Sequence, residues 1–137
     1  MSSQPPPAYQ DDPAIQDEVR LLRRVHPQWI VRDNNLNCLR PSSQAFNNSP
    51  DGSPMSVIRE DVLENEHRSP VSTLAGYPGY ALAALTAGTV RQNGQGVAAD
   101  PLPEEPAHAL VFGNKTESVR RRLAKASRWV VEPPEST

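Results

Sequence analysis

The sequence predicts an α+β domain: a small, mostly antiparallel sheet packed by an N-terminal and a C-terminal helix. Three observations carry that prediction. An apolar pattern at helical spacing follows a helix-start signal near residue 12. A second such pattern follows another start signal near residue 114. Between them lie short apolar runs, some alternating, broken by proline and glycine. Helices placed outside a run of strands imply segregated helix and sheet layers.

The N-terminal helix is expected over about Asp12 to Val25. Asp12 suits the N-cap and Pro13 the first helical position. Ile15, Val19 and Leu22 recur at i, i+4 and i+7. Asp17 and Glu18 precede Arg20, Arg23 and Arg24, an order that complements a helix dipole. Pro27 disfavours helical geometry at His26 and should stop the helix. Trp29-Ile30-Val31 reads as a short strand or anchor, and Asp33 to Asn37, with three asparagines, as a loop.

Met55-Ser56-Val57-Ile58 follows an Asp51-Gly52-Ser53-Pro54 turn and favours a strand. Glu60 to Glu66 reads as an acidic helical turn or loop. Ser69-Pro70 starts a short helix through Leu74 that ends at Gly76. Tyr80 to Thr86 is small or apolar at every position, which suits a central strand buried on both faces. Thr89 to Asn93 reads as one helical turn and Val97-Ala98-Ala99 as a short strand. Pro101 to Pro106 holds three prolines and must be a loop. Ala107 to Gly113 alternates as a strand, with His108, Leu110 and Phe112 facing one way.

Asn114 and Glu117 have capping-box spacing. Val119, Leu123, Ala126 and Val130 then repeat at helical spacing, while Arg120, Arg121, Arg122, Lys125 and Arg128 form a basic outer face. Trp129-Val130-Val131 reads as an edge strand. Residues 1–11 are expected as a proline-rich tail, 12–131 as one domain and 132–137 as a second tail. A 137-residue chain suits one domain with one core.

Fourteen basic and sixteen acidic residues give a net charge of −2, which argues against coating nucleic acid or a membrane. The apolar run Tyr77 to Val90 is too short to span a bilayer, and the N-terminus has no signal-peptide pattern. Cys38 is the single cysteine; it excludes an internal disulfide and a thiolate zinc cage, and is expected as a partly buried thiol. His26, His67 and His108 lack metal-ligand spacing, so neither a metal nor a cofactor is expected. These features fit a cytoplasmic protein.

Two candidate sites stand out. Arg40-Pro41-Ser42-Ser43 combines a guanidinium fork with paired hydroxyls on a stiff backbone, with Phe46 as its anchor. Its structural alternative is a loop in which Ser42 caps a turn and Arg40 forms an ion pair. His108, at the start of a strand, has the chemistry of a general base, and its structural alternative is cross-strand pairing. Arg40, Ser42, Ser43 and His108 would form one catalytic site if the fold joined them. No Gly-x-Ser-x-Gly and no phosphate-cradling glycine loop is present. The second candidate is the basic helix face, which suits an acidic partner, the Glu60–Glu66 segment being an intramolecular option. His26 is expected at a helix C-terminus and His67 in an exposed loop.

The runs Arg40-Pro41-Ser42-Ser43-x-x-Phe46, Met55-Ser56-Val57, Pro106-Ala107-His108-Ala109-x-Val111-x-Gly113 and Leu123-Ala124-x-Ala126 together resemble a group of small uncharacterised bacterial proteins. The resemblance spans about Leu22 to Val131. It implies a shared fold and no activity, and it draws Arg40, Ser42, Ser43 and His108 together as a site. A fainter likeness to small ADP-ribosyltransferase-like toxins lacks their late glutamate, since Glu104 and Glu105 lie in the proline-rich loop. That assignment is not adopted. The sequence thus describes a non-catalytic binding or accessory protein acting with a larger protein partner, in the setting of a bacterial multi-gene system. An anionic ligand is compatible with it, whereas nucleic acid and membrane are disfavoured. The alternative is a small enzyme or toxin acting on a nucleotide or nucleic acid through the Arg/Ser/His site.

Overall fold

The computed structural model describes residues 9–134, so most of the expected N-terminal tail and the last three residues lie outside the described residues. The strands are β1 (Arg20–Val25), β2 (Ile30–Asp33), β3 (Cys38–Pro41), β4 (Met55–Arg59), β5 (Ala81–Thr86), β6 (Gly96–Ala99), β7 (His108–Phe112) and β8 (Arg128–Val131). The helices are α1 (Glu60–Asn65), α2 (Ala87–Gln92) and α3 (Glu117–Ala126). Six strands form one antiparallel sheet in the order β6-β7-β4-β1-β5-β8, and β2 and β3 form a separate hairpin. The fold is α+β.

The expected N-terminal helix does not form. Asp12 does start a turn, its Oδ1 accepting from Ala14 N at 2.9 Å and its carbonyl from Ile15 N. The chain then extends into β1, between β4 and β5. Leu21 and Leu22 explain why. Both are buried, but in opposite clusters, Leu21 with Val25 and Leu22 with Ile58. Adjacent apolar residues that must both be buried fit a central strand, whose successive side chains point to opposite faces. Ile15, Val19 and Leu22 satisfy helical spacing by coincidence. Arg23 and Arg24 answer no helix dipole and instead diverge to the two faces.

One face of the sheet carries Leu21, Val25, Met55, Val57, Ala83, Leu85, Ala109 and Val111. Ile15, Phe46, Val90 of α2 and Leu123 of α3 pack onto it. The other face carries Leu22, Ile58, Leu82 and Ala84, covered by Leu63 of α1 and by Leu74 at the end of the 3-10 turn Pro70–Leu74. The expected strands at β4, β5 and β7 are present, and β8 is the expected edge strand.

α3 begins later than its expected capping box. Thr116, not Asn114, is the N-cap, with its Oγ1 accepting from Val119 N at 3.2 Å. Lys115 is instead buried, donating to Asn48 Oδ1 at 2.6 Å and Val111 O at 2.8 Å. Burial, with a smaller contribution from Arg23, lowers its pKa to about 8. Val130 belongs to β8 and not to the helical repeat.

The segment before β1 closes the β6 edge. Asp12 N donates to Val97 O, and Asp11 Oδ1 accepts from Val97 N. Arg91 joins Asp11 at 3.0 Å and Asp17 at 2.7 Å. Tyr9 stacks on Phe112 at 5.8 Å, and Phe112 in turn lies over its cross-strand partner Gly96. A β-carbon at residue 96 would overlap the Phe112 ring. Gly96→Ala should therefore displace Phe112, costing about 1–3 kcal/mol by overpacking. A thermal melt should show the loss, and an unchanged midpoint would place Phe112 elsewhere.

Candidate functional site

The Arg40-Pro41-Ser42-Ser43 run sits at the end of the β2–β3 hairpin. Asp33 shapes the hairpin turn, its Oδ1 accepting from Asn35 N at 2.9 Å and Leu36 N at 3.1 Å. Asn37 closes the turn with φ of 50°, a left-handed conformation that asparagine tolerates. Ile30 pairs with Pro41 and Val31 with Arg40. Two bonds seat the hairpin on the body: Ser42 N donates to Trp29 O at 2.7 Å, and Trp129 Nε1 to Leu39 O at 3.0 Å. Phe46, in the 3-10 turn Ser43–Phe46, is buried as the expected anchor.

Trp129 stands at the junction of α3 and β8, so its bond to Leu39 draws the hairpin against the C-terminal end of α3. Between them lies a cleft of about 780 Å³. The hairpin contributes Arg32, Arg40, Ser42 and Ser43 to it, and α3 with its C-terminal turn contributes Arg121, Lys125 and Arg128. The two candidate regions of the sequence thus share one wall-to-wall site. Arg120 and Arg122 lie outside it, Arg122 donating to Ser118 Oγ and Asn93 Oδ1.

The cleft is strongly basic. Its lining holds five cations and one carboxylate, Asp33. Arg40 is bound to Asp33 at 3.2 Å, and Arg121 to Glu117 outside the cleft at 2.6 Å. Arg128 Nη1 donates to Ser127 O at 2.9 Å and reaches the last carbonyls of α3, so it closes the helix end. Arg32 and Lys125 have no carboxylate partner among the described residues. Ser42 precedes the 3-10 turn, but its hydroxyl makes no capping bond. Cys38, expected to be partly buried, is exposed on the cleft wall. It starts β3 next to the hairpin turn, where the two-stranded ribbon stands apart from the main sheet.

The acidic segment does not meet the basic helix, because α1 packs through Leu63 on one face of the sheet and α3 through Leu123 on the other. Within it Glu60 pairs with Arg20, Asp61 with Arg59, and Glu66, just past α1, with Arg68. The intramolecular counterpart considered for α3 is therefore not formed among the described residues.

His108 does not join Arg40, Ser42 and Ser43. It is paired with Ile58 in the β4–β7 register and shares the Ile58 face, opposite Ala109 and Val111. The Arg40 hairpin rests on the other face through Trp29, Ile30 and Phe46. His108 Nε2 lies 3.0 Å from Ser56 Oγ, and its Nδ1 lies 3.0 Å from both the carbonyl and Oδ2 of Asp100. Ser56 and Asp100 were not singled out in the sequence. They sit 52 and 8 residues from His108, and only strand register brings them to it.

The remaining histidines serve structure. His26 lies at no helix C-terminus. It caps the 3-10 turn Pro27–Trp29, its Nδ1 accepting from Gln28 N, and it packs edge-on against Tyr80. His67 is exposed, as expected, with φ of 56°. No group of three or more His, Cys, Asp or Glu suited to a metal ion occurs among the described residues. No helix among them is long and apolar enough to cross a membrane.

The loop before β7 is clamped. Arg68 holds Glu105 through two bonds of 2.7 Å, and Glu105 Oε2 also accepts from Ala107 N. Arg68 is the main reason that the Glu105 pKa falls below its usual value of 4.5. Comparison with protein-family models, curated proteins and solved structures finds no match for the chain.

A carboxylate whose pKa is lowered on folding stabilises the fold above its unfolded pKa, and that contribution is lost as pH falls through the folded value. Glu105→Gln should cost up to about 3 kcal/mol at neutral pH. The deficit relative to the parent should shrink below about pH 4.5. Denaturant unfolding across pH 3–7 (a range chosen on the order of the carboxylate pKa) checks this, and a pH-independent deficit would rule the clamp out.

Proposed function

We propose that this protein is a binding or accessory protein that receives an acidic, partly apolar segment of a larger protein partner in the cleft between the β2–β3 hairpin and α3. The cleft itself performs no chemistry. The carrying observation is the convergence of Arg32 and Arg40 with Arg121, Lys125 and Arg128 around a single carboxylate. Charge complementarity of this kind steers encounter and selects partners by sign.

Two features favour a polypeptide over nucleic acid. The hairpin lines the cleft with Val31, Leu36 and Leu39, and Leu36 is 72% exposed at its tip. An acidic segment with apolar side chains would cover that surface. Single-stranded nucleic acid favours free aromatic rings on which bases stack. Trp129, the one aromatic residue of the cleft, donates its N–H to Leu39 O and packs partly against the core.

Fluorescence anisotropy with a labelled peptide of alternating Glu and Leu tests this, beside a single-stranded oligonucleotide of equal charge. The peptide should bind more tightly, and its affinity should fall with salt. Arg32→Glu with Lys125→Glu, both exposed, should weaken it at least tenfold, about 1.4 kcal/mol, without lowering the melting temperature. Tighter binding of the oligonucleotide, or no binding of either probe, would overturn the proposal.

A further inference from the structure

On the face of the sheet away from the cleft, His108 Nε2 is hydrogen-bonded to Ser56 Oγ and its Nδ1 to the Asp100 carbonyl, each at 3.0 Å, with the Asp100 carboxylate Oδ2 also 3.0 Å from Nδ1. The proton positions follow from the partners. Nδ1 of His108 faces two oxygen acceptors, the carbonyl and Oδ2 of Asp100, so Nδ1 carries the hydrogen. In the neutral ring Nε2 is then the acceptor, and Ser56 Oγ–H donates to it. A hydroxyl hydrogen-bonded to a neutral imidazole, itself oriented by a carboxylate, is the arrangement that activates a serine nucleophile.

Ser56 also borders a cavity. Beyond the pairing of Leu22 with Ile58, β1 and β4 splay apart. A space of about 170 Å³ opens there, lined by Ser56 with Arg23, Arg24, Trp29, Tyr77 and Tyr80. Arg23 is fixed by bonds to Ala45 O at 2.8 Å and Ser56 O at 2.9 Å, and Arg24 by Thr73 O and the Tyr77 ring. Arg23 thus braces the Ser56 backbone from the opposite face, while Arg24, on the Ser56 face, is an immobilised guanidinium that favours negative charge developing on a bound carbonyl oxygen. The space admits only a small acyl group.

We propose that Ser56, His108 and Asp100 form a hydrolytic site for small carboxylic esters, with Arg24, which lines the same cavity from the Ser56 face, stabilising the oxyanion. Ser56 Oγ attacks the carbonyl carbon as its proton passes to His108 Nε2. Collapse of the tetrahedral intermediate breaks the bond to the leaving alcohol, which takes that proton. Water, giving a proton to Nε2, then attacks the acyl-serine and releases the acid, and the proton returns to Ser56. The sum is ester plus water to acid plus alcohol. Ser56 and His108 are the catalytic residues, and Asp100 is a positioning residue acting through the imidazole. The site is independent of the basic cleft.

The test uses the full chain with p-nitrophenyl acetate. Turnover should exceed the buffer rate, and mass spectrometry should find an acetyl adduct on the peptide holding Ser56. Ser56→Ala should return the rate to background and remove the adduct. His108→Gln should reduce turnover at least about a hundredfold. Asp100→Asn should lower kcat with little change in KM, the signature of a lost transition-state interaction. If Ser56→Ala fails to fold, Ser56→Cys retains the cross-strand partner and should carry the acetyl group on sulfur. Turnover unchanged in folded Ser56→Ala, or acetylation confined to other residues such as Lys115, would overturn the proposal, as would a rate no faster than buffer.

Discussion

The Arg23 guanidinium is the contact on which both halves of the molecule depend. It leaves β1 where that strand parts from β4, and it bonds Ala45 O on one side and Ser56 O on the other. The Trp29 ring lies 5.5 Å beneath it. No carboxylate neutralises it among the described residues, so carbonyl dipoles and an aromatic face carry the charge. Burial, and secondarily Arg24, lowers its pKa to about 10, which still leaves it cationic at neutral pH. Burying a charge this way is costly unless every donor is placed. The bonds therefore fix the splay of the sheet and the seat of the 42–46 segment together.

From that seat the basic cleft follows. Ala45 and Phe46 are buried against the sheet and α3 packs beside them. Ser42 N then fixes the hairpin to Trp29, and Trp129 fixes it to the start of β8. The hairpin has no place in the main sheet and stands as one wall. α3 supplies the other wall, because Leu123 and Val119 turn inward and leave Arg121 and Lys125 outward. α1 lies on the opposite face of the sheet, so its acids do not neutralise this wall, and Arg121 and Lys125 are exposed. At the other end of the sheet, the Arg68–Glu105 clamp sets the start of β7 and with it the position of His108.

Local periodicity made several elements legible in the sequence. β4, β5 and β7 are short runs rich in apolar or small residues, and α3 turns one apolar stripe inward. At the N-terminus local spacing and tertiary packing disagree. Ile15, Val19 and Leu22 fit a helix, but Leu21 and Leu22 are buried in opposite clusters, which a strand between two layers achieves. The basic residues of the cleft were also legible, whereas their meeting was not. It rests on the contact of Trp129 with Leu39, 90 positions apart, which no local pattern reports. His108 was read as a partner for Arg40 because both carry chemistry. Strand parity decides otherwise, sending its ring to the far face and toward Ser56 and Asp100.

The central claim is that the hairpin and α3 form one binding surface for an acidic segment. Backbone amide shifts recorded while an acidic, leucine-containing peptide is titrated into the protein test it most directly. The account predicts perturbations at Arg32, Leu36, Arg40 and Lys125 together, saturating along one binding curve, with β6 and β7 unmoved. Shifts centred on Arg120 and Arg122, or on the α3 residues without the hairpin, would contradict it.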